Sequence, residues 1–181
     1  MPELESLPPR AKLAQSVRLF WSKIVSIGIR HVQIEDVEAL HRIFPSNRTM
    51  LGTMRLPYQA LDYTKKRLAP EDGVIKLVAL MADEIAGFCE LITYSDAHRH
   101  CHVGEFNMIA TNEKWRGRGA GAALMDAMID LSDNWLQLRR LNLIVWTPNI
   151  AAIALYKKIR LHHRRHDARL HFRRRYVCRY P

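Results

Sequence analysis

The run Trp115-Arg116-Gly117-Arg118-Gly119-Ala120-Gly121 holds what a backbone needs to grip a diphosphate. Its alternating glycines let main-chain amides come close to an oxyanion. Arg116 and Arg118 can add charge-assisted hydrogen bonds to phosphate oxygens. Position matters more than composition. Apolar residues from Cys101 to Ala110 predict a strand before the run, and Gly119 to Trp135 predicts an amphipathic helix after it. At a helix start the first amides lack intrahelical partners and carry the positive end of the macrodipole. Two other phosphate loops share this position and fail on detail. A P-loop ends in Gly-Lys-Ser/Thr, which is absent here, and a dinucleotide fingerprint sits early in a parallel β-α-β unit with an acid roughly 20 residues on. Here strands of hairpin character precede the loop.

A second run, Asn149-Ile150-Ala151-Ala152-Ile153-Ala154-Leu155-Tyr156-Lys157-Lys158, reads as a helix opened by Pro148. Taken together, Arg-x-x-Gly-x-Gly at Arg116, Gly119 and Gly121 and Asn-x-x-Ala-x-x-Leu-Tyr-x-Lys at 149–158 resemble the GNAT acetyltransferases. The likeness covers about residues 27–158 and leans toward bacterial members acting on amino acids or small amines. It implies acetyl-CoA as cosubstrate, no metal, and attack of a neutral amine on the thioester through a tetrahedral intermediate. It also implies that the amides of Gly117, Arg118, Gly119, Ala120 and Gly121 hold the pyrophosphate, with the strand edge at Met108, Ile109 and Ala110 on the pantetheine arm. Tyr156 matches the family's proton donor to the departing thiolate; the competing reading is a core tyrosine with a satisfied hydroxyl. Glu105 lies where the family often places a carboxylate base, with Glu90 as the reserve. An ion pair, or simple binding of an ammonium group, explains Glu105 equally well. Asn149 either hydrogen-bonds the pantetheine arm or caps its own helix.

The elements that must position these groups follow from periodicity. Ile27 to Val32 alternates as a strand; Glu35 to Phe44 reads as a helix with Val37, Leu40, Ile43 and Phe44 inward, and Tyr58 to Leu68 as another. Val74 to Met81 and Ile85 to Tyr94 form a hairpin about a turn at Ala82, Asp83 and Glu84, and Leu141 to Trp146 is a further strand. In the long helix Leu124, Met128, Leu131 and Trp135 are spaced as one core stripe. His98, His100 and His102 invite a metal reading, but without a neighbouring Cys or carboxylate cluster a solvated loop is the better assignment. Ala11 to Ile24 reads as a surface helix. The fold class expected is α/β of the α+β kind: a GNAT fold with a mixed central sheet and a splayed acetyl-CoA wedge.

The ends carry separate expectations. Residues 1–26 form an extension, 27–158 the acetyltransferase domain and 159–181 a basic tail. Of the net charge of +10, eight arginines against Asp167 in the tail supply +7. The tail lacks the Gly-Phe pair and closing strands that the family implies, so the C-terminal strands are expected to be missing and the tail disordered. With suitable codons, a frame displaced by one base from residue 159 can encode Phe-Gly-Phe-Ile-Ile-Glu-Gly-Thr-Met-Arg-Asp-Tyr, the family's pattern; a frameshifted C-terminus is the resulting hypothesis. Taken at face value, the tail suits a polyanion. An impaired acyl-CoA-binding protein, or a ribosome-associated or other protein N-acetyltransferase with such a tail, is the alternative function. Cys89, Cys101 and Cys178 suggest neither a disulfide framework nor a zinc site. No apolar run approaches the roughly 20 residues of a membrane span. The expected setting is therefore cytoplasmic, with a small-molecule amine as partner, neither membrane nor nucleic acid, and a homodimer left open.

Overall fold

The apolar alternation of residues 74–93 folds into two antiparallel strands, β2 (Val74–Met81) and β3 (Glu84–Thr93). Ala82 and Asp83 join them with φ of 49° and 60°. Two successive left-handed residues give a turn whose twist matches that of the flanking strands. The computed structural model describes residues 26–53, 55–159, 162–166 and 169–175, and the last two segments by their backbone. Around the hairpin stand β1 (Gly28–His31), β4 (Val103–Thr111), β5 (Arg140–Trp146), β6 (His162–His166) and β7 (Arg169–Arg175). They form one seven-stranded sheet in the order β1-β2-β3-β4-β5-β7-β6. All neighbours are antiparallel except β4 and β5.

Helices cover both faces. On one, α1 (Val37–Ile43) and α3 (Leu61–Leu68) press Val37, Leu40, Ile43 and Leu68 onto Val78, Phe88, Met108 and Ala110. The inward set expected for the first helix, Val37, Leu40, Ile43 and Phe44, is buried. Phe44 meets Phe88 edge-on, with ring centres 5.2 Å apart. His41 Nδ1 and Thr64 Oγ1, 2.8 Å apart, tie α1 to α3. On the other face α4 (Ala120–Asp130) and α5 (Ile150–Lys158) cover Leu77, Cys89, Leu91, Phe106, Leu141 and Leu143. A short helix between α1 and α3, α2 (Asn47–Thr53), has no counterpart in the sequence reading.

Three expectations are corrected. The helix expected from Tyr58 begins at Leu61, because Tyr58 takes a left-handed φ of 60°, which no right-handed helix admits. The long helix holds its stripe through Met128, but Trp135 is 76% exposed. A π-helical turn spans Leu131–Trp135, and its extra residue per turn rotates the end of the stripe into solvent. The C-terminal strands expected to be missing are present: β7 pairs with β5 from Arg140↔Arg175 to Trp146↔Arg169, and β6 pairs with β7. Their ladder is made of main-chain groups, so it needs neither the glycine nor the apolar alternation that the sequence reading sought.

The helix expected over Ala11 to Ile24 lies outside the described residues. Among the described residues no three His, Cys, Asp or Glu side chains gather as metal ligands, and His100 sits edge-on to Tyr94 at 4.6 Å. None of their helices is long and apolar enough to cross a membrane.

Two predictions follow from this packing. Phe88→Ala should cost about 3–5 kcal/mol, the usual range for emptying a large core site, read from the denaturant midpoint at unchanged m-value. Truncation after Lys158 should expose the β5 edge, lowering the midpoint and raising light scattering with concentration. A truncated chain as stable and monodisperse as the whole would argue against the β5–β7 ladder.

Candidate active site

The parallel pair β4 and β5 is hydrogen-bonded only from Val103↔Arg140 to Phe106↔Leu143. Beyond that point the strands part, while β4 stays paired with β3 as far as Gly87↔Thr111. The cause is local. Opposite β3 the register jumps from Glu90↔Met108 to Leu91↔Phe106, so Asn107 is an extra residue in β4. Such a bulge bends its strand and breaks the ladder. Met108, Ile109 and Ala110 therefore lie on a strand whose β5-side edge is open. Met108 and Ala110 are buried toward α1 and α3, whereas Ile109 packs toward α4.

The glycine loop stands at the head of α4. It is anchored before it turns: Asn112 Oδ1 accepts from the Lys114 amide at 3.1 Å, and Trp115 Nε1 donates to Glu84 Oε2 at 3.3 Å. Lys114 Nζ lies 2.7 Å from the same carboxylate. The Arg118 guanidinium and the Lys114 ammonium each sit 5.1 Å from the Trp115 ring centre. Arg116 is half-buried, 3.8 Å from Glu113.

Gly117 and Gly119 then take φ of 70° and 96°, a region other residues enter only under strain. The Gly119 carbonyl accepts from Ala123 at 2.9 Å, so the amides of Ala120 and Gly121 precede the first intrahelical bond. A Cβ on Gly117 would meet nothing within 4 Å; one on Gly121 would touch Leu155 and Thr111, both at 3.5 Å. The loop is thus open on its outer side and closely packed where α4 meets α5 and β4. An open cradle of free amides at a helix start fits a diphosphate.

Helix α5 brings Tyr156 to the same region. Its ring is buried in the α4-side core with Cys89, whose ladder partner is Ile109. Burial, with a smaller contribution from Cys89, pushes the Tyr156 hydroxyl well above the ordinary phenol range. Burial and the neighbouring Glu90 push the Cys89 thiol up too. Asn149 caps α5, its Oδ1 accepting from the Ala152 amide at 3.3 Å. A Cβ on Gly52 of α2 would lie 2.9 Å from Asn149 Nδ2, so a larger residue there would push the Asn149 side chain aside.

Glu105 lies just before the strands part, paired with Ile92 on one side and Asn142 on the other. It accepts a hydrogen bond from the Tyr94 hydroxyl at 3.0 Å. Its neighbour Phe106 faces α4, so alternation turns Glu105 to the opposite face. Glu90 is on that face as well, buried, accepting from Arg67 Nη2 at 2.8 Å and from Asn107 Nδ2. Tyr156 and Glu105 thus approach the parting strands from opposite sides of the sheet. The sequence reading missed Arg67 and Asn107. A polar residue inside the apolar β4 pattern was the available sign for Asn107, and the three-residue offset from buried Thr64 was the sign for Arg67.

The comparisons agree with this geometry. Residues 37–160 match the model of the Acetyltransferase (GNAT) family. L-amino acid N-acetyltransferase AaaT of Escherichia coli (strain K12) is 34% identical over 132 residues, covering 73% of this chain and 80% of the relative. Spermidine N(1)-acetyltransferase of the same organism is 27% identical over 138 residues, covering 74% and 72%. The fold is that of spermidine N-acetyltransferase from Vibrio cholerae, solved with CoA and spermine, at TM-score 0.67 and 22% identity, covering 81% of this chain and 92% of that one. Ribosomal-protein-alanine N-acetyltransferase from Brucella melitensis superposes at TM-score 0.69 and 19% identity, covering 82% and 99%. A bulge-opened sheet, a glycine cradle at a helix start and the sequence match together establish that this chain belongs to the GNAT family of acetyltransferases.

Proposed function

We propose that this chain transfers the acetyl group of acetyl-CoA to the amine of a small molecule such as an amino acid or a polyamine, acting in the cytoplasm. The observation that carries the reading is the parting of β4 and β5 after Phe106↔Leu143 with the Gly117–Gly121 cradle at its head. The amino-acid and spermidine N-acetyltransferases among the relatives support the acceptor class.

Acetyl-CoA supplies an activated thioester. The chain's own groups do the rest. Amides of residues 117–121, helped by Arg116 and Arg118, hold the diphosphate, and the open edge at Met108, Ile109 and Ala110 positions the pantetheine arm. Asn149, whose Oδ1 is already used as a cap, offers its Nδ2 to that arm. Glu105 takes the proton from the acceptor ammonium through water. As the new N–C bond forms and the C–S bond breaks, the nitrogen's second proton leaves to water, and Tyr156 gives its proton to the leaving sulfur and is reprotonated from solvent. Its raised pKa keeps the phenol protonated across the neutral range, as an acid must be.

Thiol release from acetyl-CoA with a panel of amines tests the reading; no turnover with any amine would refute it. Tyr156→Phe should lower kcat about 10²–10⁴-fold, the usual share of a general acid, with CoA affinity retained. A Tyr156→Phe enzyme of full kcat would return the residue to the core. Gly119→Val should weaken CoA binding at least about tenfold by calorimetry, and it should also cost about 1–2 kcal/mol of stability because a β-branched residue is strained at φ 96°.

A further inference from the structure

Between α3 and strands β3 and β4 lies a cavity of about 460 Å³, lined by Tyr63, Lys66, Arg67, Glu71, Glu90 and Asn107 among others. One lining residue, Asn107, is the bulge residue at which β4 leaves β5, so the cavity opens where an acceptor must meet the thioester. This placement rests on the acetyl-transfer reading above. The charges are not balanced in depth. Lys66 and Glu71 are exposed at the mouth and offset one another. Deeper in, Glu90 is bonded to Arg67, but Arg55 lies close enough to weaken the Arg67 cation electrostatically. Burial lowers the Arg67 pKa most, and Arg55 adds to that, against the pull of Glu90. Both arginines keep a buried Nε with no acceptor among the described residues. The Arg67 guanidinium thus has Glu90 as its ion-pair partner and the like charge of Arg55 acting against it, in a place where an unpaired cation is costly.

The other end of the same face has the opposite character. Glu105 pairs with Ile92, which also lines the cavity, and stands about 7 Å along the strand direction from Glu90, two residues' rise. Across from it, Asn142 Oδ1 is buried with no donor among the described residues. The acceptors Glu105 and Asn142 lie at the thioester end, with the Arg140 guanidinium two residues from Asn142 on the same face of β5, and Arg67 lines the cavity. A molecule that places an ammonium and a carboxylate a few bonds apart satisfies both; a polyamine satisfies only the first and sets its second ammonium against Arg67.

We propose that Arg67 binds the carboxylate of the acceptor, so that the site selects free amino acids over amines that lack a carboxylate. Arginine suits the task because its fork carries five N–H donors, more than the Nη2 bond to Glu90 takes.

The test pairs each of a panel of free amino acids with its own carboxamide and includes spermidine. Binding to the full chain in the presence of CoA is read by calorimetry, and turnover by thiol release. The best free amino acids should exceed their carboxamides and spermidine by about tenfold or more in affinity and in kcat/KM, the usual loss when a charge-assisted hydrogen bond is removed. Arg67→Gln should abolish that preference. Because it also strips buried Glu90 of its partner, Arg55→Gln is the second variant: it leaves the Arg67–Glu90 pair intact and should reduce the preference several-fold. Carboxamides or spermidine binding as well as free amino acids, binding of neither class, or a preference unchanged in both variants would overturn the proposal. Selective binding of amino acids without turnover of any amine would refute acetyl transfer and leave the carboxylate site standing.

Discussion

The ladder between β4 and β5 ends at Phe106↔Leu143, and everything that can do chemistry here is arranged around that ending. A parallel pair that stayed in register would bury its backbone amides in the sheet and leave no edge to offer. One inserted residue, Asn107, prevents this. The insertion is held in place: its side chain donates to buried Glu90, and the strand it distorts keeps its pairing to β3 on the far side. The gap is therefore a property of a rigid sheet, bounded by strands whose other edges are satisfied. β7 completes the outer edge of β5, so β5 can part from β4 without becoming a frayed margin.

The sheet also separates tasks that would interfere with one another. The α4 and α5 face is apolar, and burial there raises the Tyr156 hydroxyl above the ordinary phenol range. The α1 and α3 face carries the carboxylates, Glu90 and Glu105, and the guanidinium of Arg67. Had Tyr156 stood beside Glu105 in place of Tyr94, its hydroxyl would have been committed to that carboxylate. In the proposed mechanism, the strands between them let a proton be accepted on one side and given on the other without direct exchange between donor and acceptor.

What the sequence disclosed follows from which features are coded locally. The cradle was legible because left-handed φ at residues 117 and 119 admits little besides glycine, so the residue type announces the geometry. The hairpin and first helix were legible because their apolar spacing matched the strand and helix periods. Trp135 was misread because a π turn changes the period inside a helix that otherwise keeps it. The strands after Lys158 were misread because the edge of β5, far off in sequence, supplies their bonding. Arg67 was missed for a similar reason: its meaning depends on Glu90 and Asn107, which lie on other elements, and its offset from buried Thr64 shows only which way it faces.

A loop with two left-handed glycines would ordinarily be mobile, and a mobile cradle would lose affinity to the entropy of ordering it. The fixing groups lie immediately before the glycines. Trp115 is buried, its indole nitrogen and the adjoining Lys114 ammonium both reach Glu84, and Glu84 begins β3 directly after the tight Ala82-Asp83 turn. On the far side the start of α4 is held by Ala120 in the core and by the close fit of Gly121 against Leu155 and Thr111. The glycines span a short bridge between two fixed points, and their freedom is used to set a direction for the amides. Exposed ion pairs contribute little by themselves, so the buried indole must do most of the fixing, with Glu84 and Lys114 setting its orientation.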